Sequence, residues 1–162
     1  MHITRVSLVN FRNFKSLDLT ANQGFVILTG PNGAGKTNLL EGLYYGTCLR
    51  RFPESKMGQL FREGETFFQI RTEFEGEEEV RREAGVEMRE GKCVYQFKIN
   101  NIELSRHNFP RGLAMISFLP QDLNLLTRAP GGRRRFFDEV LTSASPAYRH
   151  ALLQYEKALR QR

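Results

Sequence analysis

The stretch Gly30-Pro31-Asn32-Gly33-Ala34-Gly35-Lys36-Thr37 constrains this chain more than any other. It fits the pattern of a glycine, four residues, then Gly-Lys-Ser/Thr. Glycines let successive backbone N–H groups turn inward and form an anion-binding nest. A helix that starts where the loop ends adds partial positive charge. Lys36 is expected to reach two phosphate groups as a point charge. Thr37 is expected to offer its hydroxyl to Mg²⁺, which takes oxygen ligands. The flanks agree. Phe25 to Thr29 is a continuous apolar run, expected to be a strand buried on both faces. After the loop, Leu40, Leu43, Tyr44 and Thr47 share one face at helical spacing. The bland alternative is a Gly-rich turn with a surface lysine, and it needs strand, loop and helix to coincide by accident.

Around this core the chain alternates. Thr4, Val6 and Leu8 interleave with Arg5 and Ser7, as in a half-buried strand, and Asn10 to Phe14 reads as a turn. Leu17 and Leu19 continue as a second strand. Phe68, Ile70, Thr72 and Phe74 alternate with polar residues, as do Tyr95, Phe97 and Ile99. Gly91-Lys92 and Asn100-Asn101 are expected turns. The pattern predicts several antiparallel strands with one wet face. Met115 to Leu119 is a second apolar run, again expected to be a buried strand. Gly131-Gly132 is expected to break the chain before a helix opening at Arg133. Ser145-Pro146 starts another helix, a hydroxyl cap followed by proline. Tyr148, Ala151, Leu152, Tyr155 and Leu159 then share a face, read as core or a helix–helix seam.

Composition narrows the class. The chain has 162 residues, 40% of them hydrophobic, enough for a sizeable core. Two cysteines, Cys48 and Cys93, make no disulfide framework. No apolar run approaches the roughly 18 residues of a membrane span, and the start lacks a signal-peptide core. A reduced, cytoplasmic protein with no membrane partner is expected. The net charge of +6 permits a polyanion partner without requiring one. It is unevenly spread. Residues 71–90 hold eight acids against four bases, a poor nucleic-acid surface, whereas residues 133–162 hold seven bases against three acids. His2, His107 and His150 are scattered, and no metal-ligand spacing or Gly-x-Ser-x-Gly elbow occurs.

Other residues carry two readings each. Gln121 follows an apolar run about eighty residues beyond the loop. It is either a polar residue of a strand-ending turn or a contact to Mg²⁺ or the attacking water. Arg12 and Asn13 lie in the first turn, close to the loop if the strands pair. They either meet a nucleotide or are solvated. Arg133, Arg134 and Arg135 open a helix, where positive charge opposes the dipole. A solvated face is the simpler reading, and a DNA phosphate or other anion is the sharper one.

Taken together, Asn10-Phe11-Arg12-Asn13-Phe14 and the loop extended through Asn38-Leu39-Leu40-Glu41 resemble the ATPase head of the RecF/SMC branch of ABC-type ATPases. Phe118 to Leu123, Gly132 to Asp138, Pro146 to Tyr148 and Tyr155 to Arg162 favour the RecF family within that branch. The resemblance covers essentially the whole chain. It implies an α/β P-loop NTPase fold. Residues 1–125 would be the N-terminal half of an ABC-type head with an adjoining antiparallel β-sheet, and 126–162 the start of a helical arm. It also implies ATP and Mg²⁺ as cofactors, with Gly30 to Asn38, Arg12 and Asn13 at the nucleotide and Thr37 and Gln121 at the metal. Many family members carry glutamate where this chain has Gln121.

The expected function is an ATP-dependent clamp on single-stranded and gapped duplex DNA. It would dimerise through ATP, work with recombination mediator proteins and support recombinase loading, replication, repair and the SOS response. The family's signature motif and Walker B Asp-Glu follow the arm. Here Asp138-Glu139 falls within a helical pattern instead. The chain is therefore expected to be part of a longer protein and not to turn over ATP alone. The alternatives are another SMC-like or OLD-family ATPase, or an ATP-binding or interaction module with no DNA activity of its own.

Overall fold

Six antiparallel strands form one sheet in the order β2-β1-β3-β4-β5-β6 in the computed structural model. The structure describes residues 1–21, 24–52, 55–110, 113, 115–120, 122 and 130–161. The strands are β1 (His2–Phe11), β2 (Phe14–Thr20), β3 (Phe67–Glu75), β4 (Val80–Arg89), β5 (Lys92–Ile99) and β6 (Ile102–Glu103). The helices are α1 (Lys36–Cys48), α2 (Pro130–Ala144) and α3 (Pro146–Arg160), with a 3₁₀ turn at Met57–Leu60. The chain forms two compact units, Met1–Leu113 and Ala114–Arg162. The expected boundary at 125/126 lies outside the described residues.

Strand alternation sorts the sheet into two faces. Leu8, Ile70, Ala84 and Phe97 stand opposite one another across β1, β3, β4 and β5, and all four are buried. Burying each of the larger members contributes roughly 1.5–3 kcal/mol. The other face is wet and charge-paired. Arg5 Nε donates to Asp18 Oδ1 at 2.8 Å, and Arg71 and Arg81 both reach Glu83. Asn100 and Asn101 both have positive φ, as a two-residue hairpin of the mirror-image type requires. The preceding hairpin turns at Glu90-Gly91, one residue earlier than expected. These two residues carry the positive φ values, and Lys92 already belongs to β5.

Helix α1 lies on the apolar face, seated by two glycines. A Cβ on Gly42 would come within 2.9 Å of Leu8 Cδ2, and one on Gly46 within 2.5 Å of Ile70 Cγ2. Of the expected helical face, Tyr44 and Thr47 are buried and Leu43 is half-buried, but Leu40 is exposed. Leu39, Glu41 and Tyr45 are buried instead, because the glycines turn that side of the helix to the sheet. Arg82 is buried beside it, stacked 4.5 Å from the Phe109 ring centroid, and it donates to the Thr47 and Phe109 carbonyls. Desolvation draws its pKa down to about 10.

Both expected strands at the long apolar runs are corrected. Phe25 to Thr29 forms no strand, and Phe25, Val26 and Ile27 are exposed. Met115 to Leu119 forms none either, with Ile116 and Phe118 exposed and Leu119 buried. A strand buried on both faces needs neighbours to take its backbone hydrogen bonds and layers to cover it. No described strand lies beside either run.

In the second unit, Gly131-Gly132 does not break the chain. Helix α2 starts at Pro130 and includes both glycines. Proline suits a first helical position, where its missing N–H has no helical partner to lose. Ser145 caps α3 as expected, its hydroxyl accepting from Tyr148 N–H at 3.2 Å. Tyr148 Oη donates to Asp138 Oδ1 at 2.6 Å, which joins the two helices. On the expected α3 stripe Tyr148 and Leu152 are half-buried, whereas Ala151, Tyr155 and Leu159 are exposed.

Candidate functional site

The glycine-rich loop ends in α1, and Gly35 is the helix N-cap at φ +103°. An L side chain is strained there, so glycine is needed for the backbone alone. Ala34 N–H closes onto Pro31 O at 3.3 Å, and Leu39 N–H onto Gly35 O at 2.9 Å. The amides of Lys36, Thr37 and Asn38 thus precede the first helical hydrogen bond. No side chain caps the helix and no acid lies in its first turn. An uncapped helix start with successive amides is a site for an anion.

Lys36 bends back over the loop. Its Nζ donates to Gly30 O at 2.7 Å and to Pro31 O at 2.8 Å. The ammonium is therefore held beside the loop by the loop's own carbonyls. Thr37 is exposed at the helix start. The donor set fits a polyphosphate, with backbone amides, one cation and one hydroxyl. It fits Mg²⁺ only through Thr37 together with phosphate oxygens and water. No cluster of His, Cys, Asp and Glu suited to a metal occurs among the described residues.

The first turn meets this loop, as strand pairing suggested. Asn13 Nδ2 donates to Ala34 O at 3.3 Å, and its Oδ1 accepts from Asn38 Nδ2 at 2.8 Å. Arg12 turns elsewhere. Its Nη2 lies 2.5 Å from Glu41 Oε2 and 2.5 Å from Ser55 Oγ, and its Nε donates to the same carboxylate. Glu41 is 2% exposed, and its other oxygen accepts Phe52 N–H at 3.1 Å. The Arg12 side chain is thus engaged with α1 and the segment after it.

Glu41 is the residue that sequence reasoning passed over as functional framework. It carried one signal, a carboxylate on the helical side that proves to be buried. The glycines at 42 and 46, four apart, carried another, since a small-residue stripe lets a helix approach a sheet closely. Gln121 lies outside the described residues. Arg133 and Arg134 are exposed in the first turns of α2, in the second unit, and the side chain of Arg135 is not among those described.

The AAA domain model matches residues 5–142. Proteins named DNA replication and repair protein RecF are similar along the whole chain. That of Frankia alni is 36% identical over 168 residues, and that of Natranaerobius thermophilus 35% over 164. The chain spans 43% and 42% of these two relatives. Among solved structures, the recombination mediator protein RecF–ATP of the RecFOR pathway superposes with a TM-score of 0.88 at 28% identity. It covers 99% of this chain and 43% of its own. An SMC ATPase structure, 17% identical with a TM-score of 0.69, covers 86% of this chain and shares the fold.

Proposed function

Because the chain belongs to the AAA-domain family, in its RecF branch, we propose that residues Gly30 to Asn38 bind the triphosphate of ATP. The observation that carries this is the uncapped start of α1, with Lys36 Nζ held within 2.7–2.8 Å of two loop carbonyls. Lys36 would leave those carbonyls in part to meet the β- and γ-phosphates. Thr37 would hold Mg²⁺, which neutralises phosphate charge, and Gln121 would be its second contact. With ATP bound, the chain would take part in DNA replication and repair, in the cytoplasm, as an ATP-dependent dimeric clamp on single-stranded and gapped duplex DNA. Recombination mediators, recombinase loading and the SOS response belong to the same reading. Arg133, Arg134 and Arg135 are the proposed DNA contacts.

A second reading is an ATP-binding module with no DNA activity of its own. The charge-paired outer face of the sheet favours it, since Arg5, Arg71 and Arg81 are already matched to Asp18 and Glu83.

Thermal unfolding with and without Mg²⁺-ATP tests the first reading. A ligand bound only by the folded state raises its melting temperature. The expected result is a rise in the unmutated chain and none in Lys36→Ala. Equal behaviour of the two chains would overturn the assignment of the loop. Binding of gapped duplex with and without ATP separates the clamp from the module.

A further inference from the structure

Two consecutive residues of the β1–β2 turn grip the same side of α1. Arg12 takes Glu41, and Asn13 takes Asn38, one helical turn nearer the loop. Positions three apart lie on one face of a helix. Asn13 also takes Ala34 O, on the other flank of Gly35. Both polar ends of its side chain are therefore committed to the loop and helix.

The fit around Gly35 shows how close this grip is. A Cβ there would lie 2.6 Å from Asn13 Nδ2, 2.8 Å from Asn13 Oδ1 and 2.8 Å from Phe14 Cζ. Gly35 is thus glycine for two reasons, its φ of +103° and the seat it leaves for Asn13. The peptide between Ala34 and Gly35 is planar and trans, so its C=O and N–H point in opposite directions. Asn13 holds the C=O toward the β1–β2 turn. The Gly35 N–H is then aimed away from that turn, where an anion in the loop would receive it.

We propose that Asn13 is a positioning residue for the phosphate loop. It orients the Ala34–Gly35 peptide and the start of α1, and does not itself contact the nucleotide. This rests on the reading that the loop binds a triphosphate. It differs from the expectation that Asn13 is a ligand of the nucleotide.

The test uses Asn13→Ala, Asn38→Ala and the double variant. The turn position is exposed and its φ is not positive, so alanine is tolerated there. Two quantities are measured in each chain: amide exchange without nucleotide, and affinity for Mg²⁺-ATP and for inorganic tripolyphosphate. The expected result for Asn13→Ala is faster exchange at Ala34 and Leu39, whose amides close onto Pro31 O and Gly35 O, with core strands β1 and β3 unchanged. Affinity for both ligands should fall by the same factor, roughly three- to tenfold, as for loss of the hydrogen bond that holds the Ala34 C=O. In the double variant loop exchange should be no faster than in Asn13→Ala alone, because both changes break one network. Loss of ATP affinity with tripolyphosphate affinity kept would make Asn13 a contact to base or sugar and overturn the proposal. Unchanged loop exchange would overturn it too. If the unmutated chain binds neither ligand, the triphosphate reading fails, and loop exchange still decides whether Asn13 positions the loop.

Discussion

The guanidinium of Arg12 closes onto the carboxylate of Glu41, with Nη2 and Nε 2.5 Å and 2.9 Å from the same oxygen. One partner sits in a turn at φ +55° and the other on a helix, 2% exposed. Arg12 is 19% exposed, so the pair is largely removed from water. Removing one member strands the other, which is more damaging than removing both. Glu41→Ala should destabilise the fold by about 3 kcal/mol, at the lower end for a buried pair because Arg12 keeps some solvent. Arg12→Ala should behave alike, and the double variant should lose less than the sum. Urea unfolding of the three variants measures the coupling, and strict additivity would remove it.

Gly46→Ala should destabilise by about 1–3 kcal/mol despite the better helix propensity of alanine, because the new methyl would overpack against Ile70. Gly131→Ala is the contrast. Its Cβ would meet nothing within 4 Å, so a gain of up to about 1 kcal/mol is expected from propensity. Denaturant midpoints of the two variants should move in opposite directions.

Burial pushes the Tyr45 phenol above its ordinary value. The unfolded chain then ionises first, near the ordinary value of about 10, and the folded chain retains the proton longer. Stability contributed by this group therefore falls as pH rises past about 10. Arg82 works in the opposite sense. Its folded pKa of about 10 lies below the unfolded value, so its charged form is disfavoured in the fold and stability rises through that range. Comparing Tyr45→Phe with the unmutated chain isolates the tyrosine. The variant should show the shallower alkaline loss. At neutral pH it should be as stable or slightly more so, since the hydroxyl is buried without a hydrogen-bond partner among the described residues.

Lys36→Ala removes a cation held beside the loop by the Gly30 and Pro31 carbonyls. ATP binding should weaken by roughly 2–5 kcal/mol if the phosphate contact is buried in the complex. Because Lys36 donates to carbonyls at the loop's edge and not to the core, urea unfolding without nucleotide should change little. Calorimetric titration measures the first quantity, and an unaltered isotherm would contradict the role.

Replacing Arg133, Arg134 and Arg135 together should weaken DNA binding and flatten its dependence on salt, because a protein that neutralises fewer phosphates releases fewer counterions. Fluorescence anisotropy across a salt series reads both effects. An unchanged slope would exclude these residues from the DNA surface.

Several elements were legible because their signals are local. Alternation over residues 68–74 and 95–99 predicted half-buried strands, and β3 and β5 are such strands. Ser145-Pro146 predicted a capped helix, and the cap is a hydrogen bond between neighbours in sequence. The phosphate loop was legible as a pattern, since its glycines and lysine are contiguous. Phe25 to Thr29 and Met115 to Leu119 were not legible, because an apolar run states only that burial is favourable. It does not supply the strands that would pair with it.

The sequence alone therefore determined the loop, the positions of several strands along the chain and the basic excess near its end. These follow from residue type and spacing over a few positions. Only the tertiary structure decided that Arg12 faces Glu41 while its neighbour Asn13 faces Ala34 and Asn38. The two side chains reach α1 one helical turn apart, and which one meets the loop depends on how closely α1 is seated on the sheet. Gly42 and Gly46 set that distance against Leu8 and Ile70, residues brought beneath the helix by pairing β1 with β3 across some sixty positions of chain.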